Sequence, residues 1–354
     1  MIFRRTNSLV GLDIGSSAVK AVELRQVSNG YKVVAIGSEP VPADCIVDGA
    51  IIDGGAVADV IRQLFERNGI KTKEVVASLS GNAVIVKRIA LPLMSDEELR
   101  ESIYWEAEQY IPFDIQDVNL DYQVLQAGSE GHESGTMDVL LVAAKKEKIT
   151  DYTGVISQAG RVPVVVDVDA FALQNAFEVN YGVDMVRVAV LINAGASAIN
   201  INIVEAGQSL LTRDISIGGN AYTEALQRDL SLTFDDADLL KRGVPVEGAT
   251  LEDAAPVIRS VTDNLLLEIE KTFDFFKSTA GTERMDQLVI CGGSAAIDGF
   301  AEALATRFDL PVSGLDPFRQ IEFDTKKLTE ERRQELAPTA AVAVGLALRR
   351  ADDR

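Results

Sequence analysis

Two short segments carry the residues with the clearest potential for chemistry. Segment 11–20 reads GLDIGSSAVK, and segment 191–200 reads LINAGASAIN. In each, an apolar run ends at a polar residue, Asp13 or Asn193, and a turn of glycine and other small residues follows. The two polar residues lie 180 positions apart, and a glycine and a serine in each turn keep the same spacing. A motif repeated in register indicates an internal duplication.

Such turns are suited to binding a polyphosphate. A glycine lets the backbone approach an anion closely because no Cβ intervenes, and successive N–H groups in a tight turn form a concave anion site. Serine hydroxyl groups add further donors. The residues expected to contact phosphate are Gly15, Ser16, Ser17, Gly195, Ala196 and Ser197. The simpler alternative, that each turn is only a hairpin connection, is disfavoured by the repeat.

The charged residues of the first turn predict a site for a metal-bound nucleotide. Mg²⁺ is typically held by one or two carboxylates together with phosphate oxygens, so Asp13 is the expected metal ligand. Lys20 would add a positive charge near the terminal phosphates. At the matching position of the second turn, Asn193 can form hydrogen bonds but carries no charge. It therefore cannot act as a base, and it attracts hydrated Mg²⁺ less than an aspartate would.

A third glycine-containing segment follows a predicted buried strand. The sequence MDQLVICGGSAAIDGF at 285–300 runs from this strand into Gly292, Gly293 and Ser294, and we predict that a helix follows at once. A strand, two glycines and a helix N-terminus would suit the ribose and phosphate of a nucleotide. A Walker P-loop and a Rossmann fingerprint are excluded, because neither G-x-x-x-x-G-K-[ST] nor a helix-opening G-x-G-x-x-G is present.

The elements that must position these turns follow from the pattern of apolar residues. Each copy of the motif alternates as three consecutive strands, and the Asn29–Gly30 pair marks a hairpin between the second and third strands of the first copy. The length of 354 residues suggests two domains. We therefore expect two related α/β lobes that face each other across a cleft, each presenting one glycine turn.

The composition restricts the function further. The formal net charge is −20, which repels phosphate backbones and disfavours broad binding to nucleic acid, although a nucleotide can still be bound locally. Cys45 and Cys291 lack paired spacing, which favours a reducing compartment. No run of eighteen apolar residues is present, so we predict no membrane-spanning helix.

With these motifs the chain resembles the actin-like ATPase superfamily. GLDIGSSAVK and LINAGASAIN are similar to its two phosphate motifs, and VICGGSAAIDGF to its adenosine motif. VPVVVDVDAFAL and APTAAVAVGLAL resemble its two connecting helices. The resemblance implies an α/β fold with two duplicated RNase-H-like lobes around a nucleotide cleft, and ATP with Mg²⁺ as the ligands. It further implies that Asp238 and Lys241 reach the ribose and base, and that Gly218 and Gly219 line the site.

Within the superfamily, four segments resemble the PilM group of type IV pilus proteins: EAEQYIPF (106–113), VVDVDAFAL (165–173), GGNAYTEAL (218–226) and DPFRQI (316–321). This implies a cytoplasmic ATP-binding scaffold that binds the N-terminal cytoplasmic tail of a PilN-like bitopic membrane protein and so lies at the inner membrane. Other pilus platform proteins and self-association are further expected contacts, and nucleic acid is not.

Two alternatives stay open at this point. A small-molecule (sugar-type) kinase needs a base and a polar acceptor pocket, and no acid in an evident kinase motif is present. An FtsA-like filament former would carry a C-terminal amphipathic membrane helix, which we do not expect after LALRRADDR. In the superfamily the second phosphate motif usually has an aspartate. Asn193 therefore implies at most a slow ATPase, and no catalytic residue is assigned.

The resemblance also implies a division into subdomains, including an insert shared with FtsA. The predicted parts are the first lobe (1–82, 161–185 and 337–354), the inserted subdomain (83–160), the second lobe (186–220 and 286–336) and a helical cap (221–285).

Within the insert we predict a helix that begins with a capping box at Ser95 and Glu98 and is stopped by Pro112. Tyr104 and Trp105 are adjacent on it and cannot both be buried.

The remaining polar residues have plainer interpretations. His132 is the single histidine and lies in a Gly/Ser/Glu-rich stretch, which is typical of a solvated loop residue. Asp169 is predicted to cap the N-terminus of a helix. For Asp167 a position near Mg²⁺ or its waters is an alternative to a purely structural role.

Overall fold

The computed structural model describes residues 8–127, 135–184, 186–280, 282–324 and 328–350, so His132 lies outside the described part. The described chain forms two large sheets, a three-stranded sheet and a short hairpin. None of the helices in this part combines the length and apolar character that crossing a bilayer requires.

The first lobe is built on a six-stranded sheet in the order β10-β6-β1-β2-β3-β16. Its strands are β1 (Val10–Ile14), β2 (Ala18–Val27), β3 (Gly30–Pro40), β6 (Glu74–Leu79), β10 (Val162–Val168) and β16 (Ile321–Glu322), while β4 (Ile46–Val47) and β5 (Ala50–Ile51) form the hairpin. Strands β1, β2 and β3 pair antiparallel, and β6 and β10 continue the sheet parallel to β1.

The second lobe repeats this arrangement with five strands in the order β13-β12-β11-β14-β15. They are β11 (Val188–Ala194), β12 (Ile199–Glu205), β13 (Gln208–Ile215), β14 (Gln287–Cys291) and β15 (Val312–Gly314). The antiparallel meander again comes first, and two parallel strands again follow on its other side. The predicted duplication is thus visible as one topology used twice.

Helices cover both sheets. They are α1 (Gly54–Arg67), α4 (Asp169–Tyr181), α5 (Asn220–Leu230), α6 (Phe234–Lys241), α7 (Leu251–Thr279), α8 (Phe300–Phe308), α9 (Glu330–Leu336) and α10 (Ala341–Ala347). Helices α4 and α10 correspond to the two connecting helices and pack closely on each other. A Cβ added at Gly345 would lie 1.7 Å from the carbonyl oxygen of Ala172, so this contact requires glycine.

The insert has its own core. Its antiparallel sheet runs β7-β9-β8, formed by β7 (Val84–Pro92), β8 (Val118–Ala127) and β9 (Thr136–Lys145), and helix α2 (Asp96–Glu108) covers it. The capping box at Ser95 and Glu98 is present. The helix ends at Glu108, before Pro112, so the predicted stop is wrong. Tyr104 and Trp105 are both exposed, with 51% and 74% of their surface accessible.

Helix α3 (Lys146–Gln158) follows β9 directly and does not join the insert core. Tyr152, Val155 and Ile156 from this helix are buried with α1 in the core of the first lobe. Burial of these side chains against α1 ties α3 to that lobe, although the predicted insert 83–160 includes it. Strand β16, inside the range 286–336 predicted for the second lobe, likewise pairs with β3 and so belongs to the sheet of the first lobe. The division into subdomains otherwise stays a prediction.

Candidate functional site

The two glycine turns meet between the lobes. Ser16 Oγ donates a hydrogen bond to Ser197 Oγ at 2.9 Å, which joins the turn of the first lobe to that of the second. Both turns close in the same way, since the N–H of Gly15 and of Gly195 donates to the carbonyl of the residue three positions later, at 3.2 and 2.9 Å. Two segments far apart in sequence therefore lie side by side in the folded chain. Ser17, in the first turn, is exposed.

The polar residues of the turns occupy equivalent positions but form different pairs. Asp13 lies opposite Lys20 across β1 and β2, and Asn193 lies opposite Asn200 across β11 and β12. Lys20 Nζ lies 3.0 Å from the Asp13 carboxylate in a partly buried ion pair. In the second turn, Asn193 Nδ2 donates to Asn200 Oδ1 at 3.0 Å. The same backbone thus carries a charged pair in one lobe and a neutral pair in the other.

Other glycine segments pack against the second turn. The Gly219 N–H donates to the Gly195 carbonyl at 2.9 Å, and Asn220 N donates to Ala196 O at 2.8 Å. A Cβ at Gly218 would lie 2.6 Å from the Gly195 carbonyl oxygen. The structure therefore brings the Gly218–Gly219 pair and the second turn together, as a shared ligand site requires.

The third glycine segment reaches the same turn. Ser294 Oγ donates to the Gly195 carbonyl at 2.8 Å. Gly292 has a φ of +93°, and a Cβ there would lie 2.3 Å from the Ala194 carbonyl oxygen, so both conformation and space demand glycine. For Gly293, whose nearest atom would be 3.9 Å away, neither reason applies.

The helix predicted to begin at these glycines is displaced. Only a single 3₁₀ turn, Gly293–Ala296, follows the strand, and α8 begins at Phe300. Ile297 is extended and Gly299 has a left-handed conformation, so the chain turns once more before the helix starts. The backbone that follows the two glycines is therefore a short 3₁₀ turn and not the N-terminus of a long helix.

The two cap residues assigned to ribose and base lie on α6. Lys241 Nζ lies 2.6 Å from the Asp238 carboxylate and donates to Thr223 Oγ1 at 2.7 Å. It also lies 3.4 Å from the carbonyl oxygen of Gly219, which connects it to the glycine turns. Asp238 pairs in addition with Arg242. Lys241 is thus next to the candidate cleft, held in place by α5 and α6.

The predicted capping role of Asp169 is wrong. Helix α4 begins at Asp169 itself. The capping position is occupied by Val168, whose apolar side chain cannot accept a hydrogen bond from the first backbone N–H groups of the helix. The Asp169 carboxylate instead forms hydrogen bonds with Ser78 and Ser80. Burial, and next the charge of Asp13, raise the pKa of Asp169 to about 6.

Asp167 has other partners. Its carboxylate Oδ2 is 3.3 Å from Arg349 Nε, and its Oδ1 accepts the N–H of Val168 at 2.8 Å. The ion pair with Arg349 accounts for this buried acid, so a position beside Mg²⁺ is not supported.

Asp214 was missed by the sequence analysis altogether. It lies on β13 and accepts hydrogen bonds from the backbone N–H of Gly81 in the first lobe and, at 2.8 Å, from Asn200 Nδ2. It therefore links the lobes on one side of the two turns. No clear signal for it was present in the sequence, because Asp214 directly follows Arg213 near the end of β13 and resembles one member of a solvated charged pair.

The donors suit a magnesium-bound polyphosphate. Burial is the main cause of the raised pKa of Asp169 and the negative charge of Asp13 is the next, and a cation beside the two carboxylates would offset their repulsion. Within the described residues, no group of three or more His, Cys, Asp or Glu could hold a metal ion. A metal bound at Asp13 would therefore depend on oxygens of the ligand and water, as is usual for Mg²⁺.

Comparisons with known proteins agree with this geometry. The family model for type IV pilus assembly protein PilM matches residues 11–351. A solved structure described as the PilM-PilN type IV pilus biogenesis complex superimposes with a TM-score of 0.87 and 30% sequence identity, over 98% of this chain and 100% of that one.

More distant relatives share the fold. The cell division protein FtsA of Staphylococcus epidermidis is 22% identical over 83% of this chain and 71% of its own length. MreB5 of Spiroplasma citri, solved with AMPPNP, has a TM-score of 0.51 and 14% identity over 96% of this chain and 95% of its own. The fold is thus the actin-like ATPase fold that the sequence predicted.

Proposed function

Because the chain belongs to the PilM family of type IV pilus assembly proteins, we propose that it is a nucleotide-binding scaffold of the inner-membrane platform that assembles the pilus. It binds the cytoplasmic N-terminal tail of a PilN-like membrane protein and lies at the membrane through that partner. The observation that carries this proposal is the match to the PilM-PilN complex along nearly the whole chain. Further contacts with other platform proteins and with itself belong to the same proposal.

The cleft between the turns is the proposed site for Mg-ATP. Asp13 would hold the Mg²⁺, which neutralises phosphate charge, and the N–H groups of the two turns would cradle the phosphates. Ser16 and Ser197 already meet at 2.9 Å, so their hydroxyl groups can turn to a phosphate placed between the lobes. Lys241 and the Gly218–Gly219 pair would bound the nucleoside side.

We further propose that ATP is held and turned over slowly at most. Asn193 donates to Asn200 and its oxygen lies 3.8 Å from the Cys291 thiol, so its amide is already engaged at both ends. An amide cannot accept a proton from an attacking water. The single-turnover hydrolysis rate should therefore lie below the ~1 s⁻¹ of ordinary enzymes.

Calorimetric titration with Mg-ATP tests the cleft. Asp13→Ala removes the proposed metal ligand and should weaken Mg-ATP binding about 100-fold, while ATP in EDTA should bind both proteins alike. The exposed Asp274→Ala on α7, outside the three glycine segments, serves as the matched control and should leave the affinity unchanged. Equal Mg-ATP affinity of the Asp13 variant and the wild type would refute the assignment.

The partner tail is proposed to dock at the insert and the adjoining first lobe. An extended peptide can bind there through backbone hydrogen bonds, with side-chain pockets giving specificity. A synthetic peptide of the first ~20 residues of the PilN-like protein should bind, and the same composition in reversed order should not.

A deletion variant locates that binding. The insert can be removed as 84–145, because Lys145 N lies only 2.9 Å from Ala83 O and a two-glycine linker can rejoin the chain there. The deletion must spare α3, which packs in the first-lobe core. Peptide binding should be lost and Mg-ATP binding kept. A folded deletion variant that still binds the peptide would contradict this location.

A further inference from the structure

Lys148 is a positively charged residue that belongs to none of the motifs identified in the sequence. It is the third residue of α3, and its Nζ donates to the Ser80 carbonyl at 2.6 Å. The ring of Tyr152 lies 5.7 Å away on the other side. The side chain is partly buried, unlike that of Lys146, which is exposed on the same helix.

The charges around Lys148 connect it to both lobes. Burial lowers the pKa of Lys148, while the carboxylates of Asp169 and Asp214 act in the opposite direction. Asp169 in turn interacts with Asp13, the proposed metal ligand. Asp214 comes from the second lobe and binds the Gly81 N–H next to Ser80. Asp214 also accepts from Asn200, the partner of Asn193, so hydrogen bonds connect the Ser80–Gly81 segment beside Lys148 to the second turn.

We propose that Lys148 binds the terminal phosphate of a nucleoside triphosphate and so distinguishes it from a diphosphate, an inference that rests on the proposed nucleotide cleft. An ammonium group has three donors, and the Ser80 carbonyl takes one of them. The flexible four-carbon stem lets the others reach an oxyanion held between the turns. A diphosphate lacks the group that would extend toward Lys148.

Lys148 lies where the insert joins the first lobe, so the proposed recognition of the terminal phosphate would occur at the base of the insert. Ser80 and Gly81 shortly precede β7, and α3 continues directly from β9, so Lys148 bridges the two chain segments that enter and leave the insert. Strand β7 also contacts β13, the strand that carries Asp214. A terminal phosphate bound by Lys148 would therefore lie next to the point where the insert joins the first lobe.

A pair of lysine substitutions on one helix tests the proposal. Lys148→Met keeps the methylene stem and removes the charge, and it should weaken binding of the ATP analogue AMPPNP about tenfold while changing ADP affinity less than twofold. Lys146→Met, at an exposed lysine that donates to the Gln116 carbonyl, should change neither affinity. An unchanged AMPPNP-to-ADP ratio in folded Lys148→Met protein would overturn the proposal. If the wild type bound neither nucleotide, the proposed function itself would fail instead.

Labelling of the wild type gives an answer that does not depend on a folded variant. In an acyl phosphate of ATP, the acyl group sits on the terminal phosphate. A nearby amine attacks its carbonyl carbon, the bond to the phosphate oxygen breaks, ATP leaves, and the new amide loses a proton. Mass spectrometry should find Lys148 acylated, Lys146 unmodified, and the labelling suppressed by excess ATP. Acylation of Lys20 without Lys148 would show that the terminal phosphate lies elsewhere.

Discussion

The turn of the first lobe and the turn of the second lobe share a backbone but not a charge distribution. Both pair residues seven positions apart across two antiparallel strands, as Asp13 with Lys20 and Asn193 with Asn200. The first pair is ionic and the second is a neutral amide pair. Duplication has therefore preserved geometry, and the surroundings of each turn have set its chemistry.

Asp214 explains why the second turn has an amide. A carboxylate only accepts hydrogen bonds at neutral pH, so Asn200 must point its Nδ2 toward Asp214, at 2.8 Å. The Asn200 oxygen then faces Asn193 and needs a donor there, which an asparagine supplies and an aspartate does not. In the first lobe the matching partner is Lys20, which donates, so Asp13 fits. The contact between lobes thus dictates the residue in the turn.

The largest expected effect concerns the packing of the third glycine segment against the second turn. Gly292→Ala should destabilise the protein by about 3 kcal/mol, because its φ of +93° is unfavourable for alanine and its Cβ would meet the backbone of the second turn at 2.3 Å. The neighbouring Gly293→Ala should change stability by less than about 1 kcal/mol. Urea unfolding measures both. Similar losses for the two variants would show that the second turn is not packed as described.

A smaller effect, dependent on pH, should come from Asp169, whose carboxylate interacts with Asp13 of the first turn. With a pKa raised to about 6, against 3.8 ordinarily, Asp169 binds its proton more tightly in the folded protein than in the unfolded chain. This stabilisation is complete at low pH and is lost as pH rises through 6. Without nucleotide or Mg²⁺, Asp169→Asn should therefore raise the free energy of unfolding by about 2 kcal/mol at pH 7.5 and by little at pH 4.

Urea unfolding at the two pH values is the measurement, with the exposed Asp298→Asn as a control that should show no such pH-dependent gain. An equal increase in the free energy of unfolding at both pH values would show that the folded protein does not raise the pKa of Asp169.

The smallest effect sharpens the comparison by making the second turn resemble the first. Asn193→Asp places an acceptor opposite the Asn200 oxygen and should cost about 1–2 kcal/mol. In the double variant with Asp214→Asn, Asn200 can reverse its amide and every polar atom regains a partner. A double-mutant cycle should then give a favourable coupling of about 1 kcal/mol. Strict additivity of the two substitutions would disprove the proposed chain of amide hydrogen bonds.

Local sequence patterns were enough to predict much of this protein. Apolar alternation predicted the two meanders, and Ser95 with Glu98 predicted the start of α2, because a capping box needs only four consecutive residues. The end of α2 was misjudged, since Pro112 forbids continuation of a helix but does not require the helix to reach it. The 3₁₀ turn after Gly293 was also missed, because two glycines leave several backbone paths open.

The sequence by itself determined the duplicated fold and the residue types of both turns, since repetition in register and glycine spacing are properties of the chain alone. Only the tertiary structure decided that Ser16 meets Ser197, that Asp214 reaches Gly81 and Asn200, and that Lys148 donates to the Ser80 carbonyl. These contacts join residues separated by tens to nearly two hundred positions. Their energies depend on burial and on neighbouring charges, which are defined only once the lobes have closed on each other.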